Sequence, residues 1–337
     1  MKHRKCSCGY FGYGSLMGDG WEAQFGCTRK CVAVLQGYKR IFNKASTRNW
    51  GTTQAPCTTL NLEPAEGAAC KGMAFEFPDN LGVNVREHLS NREGRGFELE
   101  DLTICLQDGV EVVASVPVYH GRSLVHPVTA QAKAVMVMHA TGKDGSCIDY
   151  VRKTAELLAK LDIDDPAVSE LWQAVQDEYV RTVMDEIRGR IELLEANLPR
   201  RVDGFAISPH SKLPFKALLY REVLAWRIAE LSRSAFEQLN EERLASAITL
   251  VRAALETSAA LWYLLTRLDV ALRAKATGDI DDYLMKLVMG SRNNLDLLPP
   301  AINVLNFIDC ANKEINGLNG LWCEHSRAQQ HNTGRSP

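Results

Sequence analysis

The hydrophobic pattern changes character near residue 150. Before it, short apolar and β-branched runs recur at 10–13, 32–35, 58–62, 72–77, 102–106 and 110–118, separated by Gly, Asn, Asp and Pro clusters. Runs of this length bounded by turn residues predict strands. Gln107-Asp108-Gly109 predicts a hairpin turn between the last two. So many short strands within ~130 residues predict a barrel or a strongly curved sheet. Beyond residue 148 the spacing becomes helical, with Tyr150, Val151, Ala155, Leu157, Leu158 and Leu161 on one face. Asp165 then reads as an N-cap with Pro166 at the first helical position. The helix that follows, near 167–176, is expected to close a first domain.

A long helix is predicted across 178–197, continuous with its predecessor or separate from it. After a connection over 198–214, further helices are expected near 216–239, 241–276, 280–287 and 301–317. Segment 241–276 carries a wide apolar face, including Leu244, Ile248, Val251, Leu255 and Leu261. The second half therefore reads as an all-α bundle. The expected organisation is a first domain over 1–178, a helical domain over 179–325, and a polar, disordered tail over 326–337.

Composition narrows the classes. The 337 residues suit about two domains at ~150 residues each. Hydrophobic residues make up 46% and charged residues 24%, the balance of a soluble globular chain. The 39 basic and 41 acidic residues nearly cancel, which excludes a strongly basic nucleic-acid binder. No run of about 18 uncharged apolar residues is found, so no membrane association is expected. The basic start lacks the apolar core of a signal peptide, and the expected location is cytoplasmic. The ten cysteines are too sparse for a disulfide scaffold and read as buried reduced thiols; only Cys6/Cys8 and Cys27/Cys31 are closely spaced. The histidines do not cluster, and no metal site is expected.

The most informative segment is Tyr10-Phe11-Gly12-Tyr13-Gly14-Ser15-Leu16. A short aromatic strand runs straight into Gly-Ser-Leu, where glycine permits a sharp turn that presents successive N–H groups. Such a row can hold a carboxylate or a developing oxyanion, although strand–Gly–Ser turns are also common structural elements. Further along come Gly37-Tyr38-Lys39-Arg40-Ile41-Phe42 with Ser46-Thr47, then Thr59-Leu60, Cys70-Lys71-Gly72-Met73-Ala74, and Arg92-Glu93 followed by Gly96-Phe97. In residues, order and spacing these segments resemble the ChaC-like γ-glutamylcyclotransferases, over roughly residues 8–176.

The resemblance implies an α+β fold: a γ-glutamylcyclotransferase-like mixed β-barrel with flanking helices, here followed by the all-α helical bundle. It implies that Glu93, the glutamate of the Arg-Glu motif, is the catalytic acid/base. Glu87 is the nearest competitor but lacks the following Gly-Phe pair. A small-molecule γ-glutamyl substrate, glutathione above all, would be cyclised to 5-oxoproline with no cofactor. Tyr13, Gly14, Ser15 and Leu16 would grip the γ-glutamyl moiety, and Tyr119 would correspond to a pocket tyrosine. Arg48, just after Thr47, reads equally as a bidentate partner for a substrate carboxylate and as a surface arginine. Trp21 would shape the cleft.

The helical half lies beyond this resemblance. Arg252 and Glu256 are spaced for an i,i+4 ion pair. Together with Leu321-Trp322-Cys323-Glu324-His325-Ser326 they loosely resemble a HEPN-like helical domain. The ribonuclease pattern of that family is Arg, four to six residues, then His; Arg327 to His331 is one residue short. The bundle is therefore read as a module for homodimerisation or for docking a protein partner, not as a nuclease. The alternatives are a non-catalytic γ-glutamyl sensor signalling through the bundle, and a HEPN-like toxin.

Overall fold

A computed structural model describes residues 9–126, 129–275, 277–291, 298–315 and 317. Five strands, β1 (Gly9–Gly12), β2 (Arg29–Ser46), β3 (Cys57–Glu76), β4 (Phe97–Leu106) and β5 (Glu111–Tyr119), close into a barrel in the order β1-β3-β2-β4-β5. The β1–β5 pair is parallel at Tyr10 and Ser115, and the others are antiparallel. The barrel is thus mixed, as expected. Leu106 and Val110 close the predicted hairpin through the Leu106 N–H to Val110 carbonyl bond at 2.9 Å.

The expected strands at 58–62 and 72–77 prove to be one strand, and the run at 32–35 belongs to a partner 18 residues long. The turn signal Pro64-Ala65-Glu66-Gly67 is real but local. Residues 65–68 loop out opposite Gly37 alone, between the Gln36–Ala69 and Tyr38–Pro64 pairs. A bulge of this kind bends the ladder without ending it and adds the twist that barrel closure needs. Phe11, Phe42, Phe75 and Phe77 are fully buried in the resulting core. Each contributes about 1.5–3 kcal/mol through removal of apolar surface from water.

Helices cover the barrel. In the first half they are α1 (Gly82–Glu93), α2 (Ala130–His139), α3 (Cys147–Lys160) and the start of α4 (Pro166–Ala196). They bury Val85 and Leu89, Ala134 and Val137, Val151 and Leu158, and Leu171 and Val175 respectively in the barrel core. The Ser146 hydroxyl caps α3 by accepting from the Asp149 N–H at 3.1 Å. Asp165 accepts from the Val168 N–H at 3.3 Å, the expected cap, and Pro166 opens α4. Of the two arrangements open for 167–197 the continuous one is found, since α4 runs unbroken through both segments. The sequence pattern does not predict α1 or α2.

The chain divides into two compact units, Met1–Val183 and Met184–Pro337, with α4 crossing the division. The second unit holds α5 (Gly204–Ile207), α6 (Leu213–Asn240), α7 (Leu244–Ala274), α8 (Ile280–Met289) and α9 (Val304–Asn312). Tyr220, Leu224, Ala260, Leu264, Ile280 and Leu284 form its main core, and Ile308 and Ala311 of α9 pack with Ala259. Arg252 and Glu256 make the expected half-buried ion pair at 3.1 Å. By length and composition α7 is apolar enough to cross a membrane, with mean hydropathy 1.3 over 18 residues. It nonetheless carries Arg252, Glu256, Arg267, Asp269 and Arg273, and its Ala260 and Leu264 sit in the helical core. The segment 321–326, Arg327, His331 and the polar tail lie outside the described residues.

One expectation is corrected. Cys57 and Cys147 are joined in a disulfide instead of standing as free thiols. It ties the start of β3 to the start of α3. Disulfides are rare in reducing compartments, so this bond sits apart from the cytoplasmic expectation.

The barrel is pinned by Arg40 of β2, whose side chain is fully buried. Its Nε donates to the Tyr13 carbonyl and its Nη1 to Asp165, both at 2.7 Å. Its Nη2 donates to the Lys71 carbonyl. One residue thereby joins the end of β1, β2, β3 and the cap of α4. Replacing Arg40 with Met is expected to cost about 3–5 kcal/mol, because it strands the Asp165 charge, the buried Tyr13 carbonyl and the part-buried Lys71 carbonyl. Equilibrium urea denaturation of the full chain measures this, and a loss below about 1 kcal/mol would contradict the role.

Candidate active site

The turn after β1 is built by satisfying its carbonyls and leaving its amides. Arg40 takes the Tyr13 carbonyl at 2.7 Å. The Met17 N–H takes that of Gly14 at 3.0 Å, and the Gly18 N–H that of Ser15 at 3.4 Å. Trp21 Nε1 takes that of Leu16 at 2.9 Å. Among the described residues the N–H groups of Gly14, Ser15 and Leu16 have no such partner. Gly12 allows the tight geometry: a Cβ there would lie 2.8 Å from the Leu16 Cβ. Four carbonyls are thus held and three amides left over, and spare amides of this kind suit a carboxylate or an oxyanion.

Ser15 of this turn and Glu93 line the same cavity, about 710 Å³ in volume, within the first unit. Glu93 is the last residue of α1. Gly94 follows with φ +80, and its N–H closes the helix on the Ser90 carbonyl at 3.1 Å. Gly96 has φ +91, and a Cβ there would come within 2.7 Å of the Tyr119 ring. The Gly-Phe pair after Arg-Glu is thus a steric requirement, one that seats Phe97 against Tyr119 at 5.1 Å between centroids.

The Glu93 carboxylate makes no hydrogen bond or ion pair among the described residues. Burial raises its pKa above the ordinary carboxylate range. The charges of Arg92 and Lys44 oppose that shift, and Asp19 adds to it. Arg92 is itself bound to Asp19. Buried Tyr13 is held well above the usual phenol range, first by burial and then by the Glu93 charge. Burial pushes the Cys70 thiol up to about 11, so it is neutral at pH 7 and no nucleophile.

The opposite wall comes from segments distant in sequence. Tyr150 of α3 lines the cavity, and its hydroxyl accepts from the Leu60 N–H at 3.1 Å. Asn49 and Trp50 also line it. Their loop is held by the turn before α3, where Lys143 and Asp144 N–H groups donate to the Arg48 and Asn49 carbonyls at 2.8 and 2.7 Å. Among the described residues no three His, Cys, Asp or Glu side chains converge as a metal cluster would.

The predicted residues divide into three groups. Glu93 and Ser15 meet at the cavity. Tyr13, Gly14 and Leu16 are not on its wall, and Tyr13 and Leu16 are buried. Arg48 is exposed and not on its wall. Tyr119 is not on the wall either; it supports Phe97, and its hydroxyl accepts from the Ser123 N–H at 3.1 Å. Trp21 is buried against Phe75 at 5.3 Å and does not shape the cleft; Trp50 does. Lys44, Tyr150 and Lys153 line the cavity without having been singled out. Tyr150 was visible only as a helix-face residue, and Lys44 as one of many strand cations. The second unit holds a larger groove of about 870 Å³ along α6, between Arg200, Val223, Trp226 and Arg227. None of the motif residues lies there.

Comparison with known proteins bears on the same half of the chain. The family profile described as ChaC-like protein matches residues 8–178. Gamma-glutamylcyclotransferase 2-3 of Arabidopsis thaliana is 28% identical over 176 residues, covering 49% of this chain and 87% of that protein. The glutathione-specific gamma-glutamylcyclotransferase of Schizosaccharomyces pombe is 28% identical over 195 residues, covering 51% and 94%. A crystal structure of a yeast cyclotransferase specific to glutathione superposes with TM-score 0.45 at 22% identity, over 51% of this chain and 98% of that one. The profile spans half of the sequence and takes in the donor turn, Arg40, the Arg-Glu motif and α3; the chain belongs to the ChaC-like family.

Proposed function

We propose that the first unit converts a γ-glutamyl amide, glutathione in the first instance, to 5-oxoproline and the released amine, Cys-Gly. The names of the two relatives support this reading. The observation that carries it is the desolvated carboxylate of Glu93, without a partner among the described residues, on one cavity with the turn at Ser15.

The substrate supplies its own nucleophile. Its α-amine attacks its γ-carbonyl carbon and closes a five-membered lactam, so orientation provides most of the advantage. The amine arrives as an ammonium and must lose a proton, and the departing amide nitrogen must gain one. Glu93 takes the first proton and delivers the second as the carbon–nitrogen bond breaks. The Gly14–Leu16 amides donate to a carboxylate or to the oxygen that becomes negative at the tetrahedral stage. A half-buried carboxylate is a stronger base than a solvated one, which suits the first transfer. The cavity's volume falls in the ordinary range for small-molecule sites, about 300–1,000 Å³. A cytoplasmic setting and a docking or dimerising role for the helical unit belong to the same proposal.

The test is incubation of the purified chain with glutathione and several γ-glutamyl dipeptides, with mass-spectrometric detection of 5-oxoproline. Glu93→Gln is expected to lower the rate by about 10²–10⁴-fold. The same variant should keep or raise the thermal midpoint. With its folded-state pKa raised, ionised Glu93 costs stability at neutral pH, and stability falls as pH rises between the unfolded and folded values. Full turnover by a folded Glu93→Gln protein would remove Glu93 from the mechanism. Tight binding of glutathione without product would instead favour the sensor.

A pH prediction follows from the same shift. The base must be ionised, so kcat/KM should fall as pH falls through the Glu93 pKa, with an acid limb above the ~4.3 of a free glutamate. A limb at or below that value would contradict the desolvated site.

A further inference from the structure

Three cationic side chains line the cavity: Lys44, Arg92 and Lys153. One of them is already engaged. Arg92 is bound to Asp19 and reaches the Ser15 hydroxyl at 3.4 Å. Lys153 is exposed, with its ammonium 6.0 Å from the Trp50 ring centroid. Lys44 is half-buried and makes no ion pair or side-chain hydrogen bond among the described residues. Its ammonium lies 5.3 Å from the Phe97 centroid and 5.5 Å from that of Tyr119.

The fold goes to some length to hold that ammonium. Lys44 follows a bulge in β2, where the register passes from Phe42–Leu60 to Lys44–Thr59 and leaves Asn43 extra. A bulge re-aims the side chains around it. The two rings beneath the ammonium are those seated by the Gly96-Phe97 turn that follows Glu93. Aromatic faces orient a cation without neutralising it. A desolvated ammonium without an anion is costly, and burial lowers the Lys44 pKa, with Glu93 the charge that opposes the shift. Lys44 and Glu93 thus act on each other across the cavity without forming an ion pair.

We propose that Lys44 is a specificity-determining residue that binds the α-carboxylate of the γ-glutamyl group. The inference rests on the proposed cyclisation at this site and names the substrate feature that the site demands. For Glu93 to take a proton from the α-amine, that amine must come within about 2.6–3.2 Å of it. The α-carboxylate is bonded to the same carbon and arrives beside the amine. A second carboxylate next to Glu93 would be repelled unless a cation met it. Arg92 is committed to Asp19, so Lys44 is the cation in the Glu93 field that remains for it. The substrate class is γ-glutamyl compounds with a free α-carboxylate, and α-carboxamides or α-esters are rejected whatever their leaving group.

The experiment compares one γ-glutamyl dipeptide with its α-carboxamide, using wild type, Lys44→Met and Lys44→Arg. Release of 5-oxoproline or 5-oxoprolinamide is read by mass spectrometry. Wild type should prefer the α-acid by about 30-fold or more in kcat/KM, mostly through KM. Lys44→Met should lose that preference, and Lys44→Arg should restore a large part of it. A merely structural role would lower both rates and leave their ratio unchanged, and that result overturns the proposal. Binding of 5-oxoproline and 5-oxoprolinamide to wild type is measured alongside, in case Lys44→Met does not fold. Equal affinities also overturn it. Product from neither substrate with wild type removes the cyclotransferase reading and this inference with it. Product from both, with an unchanged ratio in Lys44→Met, removes this inference alone.

Discussion

Arg40 spends its donors inside the protein, on the Tyr13 and Lys71 carbonyls and the Asp165 carboxylate. A buried guanidinium is tolerable only when every partner is in place. The end of β1, strands β2 and β3, and the first turn of α4 are therefore fixed relative to one another by one side chain. Everything proposed for the cavity descends from that constraint. The Tyr13 carbonyl is claimed by Arg40 and the following carbonyls are closed by Met17, Gly18 and Trp21, so the amides of Gly14, Ser15 and Leu16 are what the turn leaves over among the described residues.

The second half of the site follows from a different kind of constraint. Glu93 is placed by the end of a helix, and the chain beyond it passes through two glycines with positive φ. At Gly96 no side chain fits beside Tyr119. That packing puts two ring faces under Lys44, and Glu93 on the cavity wall has no hydrogen-bond or ion-pair partner among the described residues. The arrangement keeps opposite charges close but unjoined. A substrate that brings an ammonium and a carboxylate on one carbon would complete both.

Much of this was legible in the sequence. The change from strands to helices near residue 150, the hairpin at Asp108-Gly109, the Asp165 cap and the Arg252–Glu256 pair all depend on local spacing. Local chemistry decided them. The motif segments led to Glu93 and to the turn at Ser15. What local spacing could not show was long-range. Helix α1 buries little beyond Val85 and Leu89, so its periodicity is faint. The bulge opposite Gly37 mimics a strand end. Cys57 and Cys147 are 90 residues apart and meet only because β3 and α3 do. Trp21, expected at the cleft, is instead drawn into the core by the Leu16 carbonyl and the rings of Phe75 and Phe77, contacts that local spacing does not show. Lys44 is an ordinary strand lysine until Phe97 and Tyr119 are brought beneath it.

The central claim is that the bond is made by the substrate's own nitrogen and not by water. Turnover of a γ-glutamyl peptide in ¹⁸O-enriched water separates the two. The account predicts 5-oxoproline carrying no solvent oxygen and no early release of glutamate. Glutamate labelled in its γ-carboxylate as the first product would contradict it.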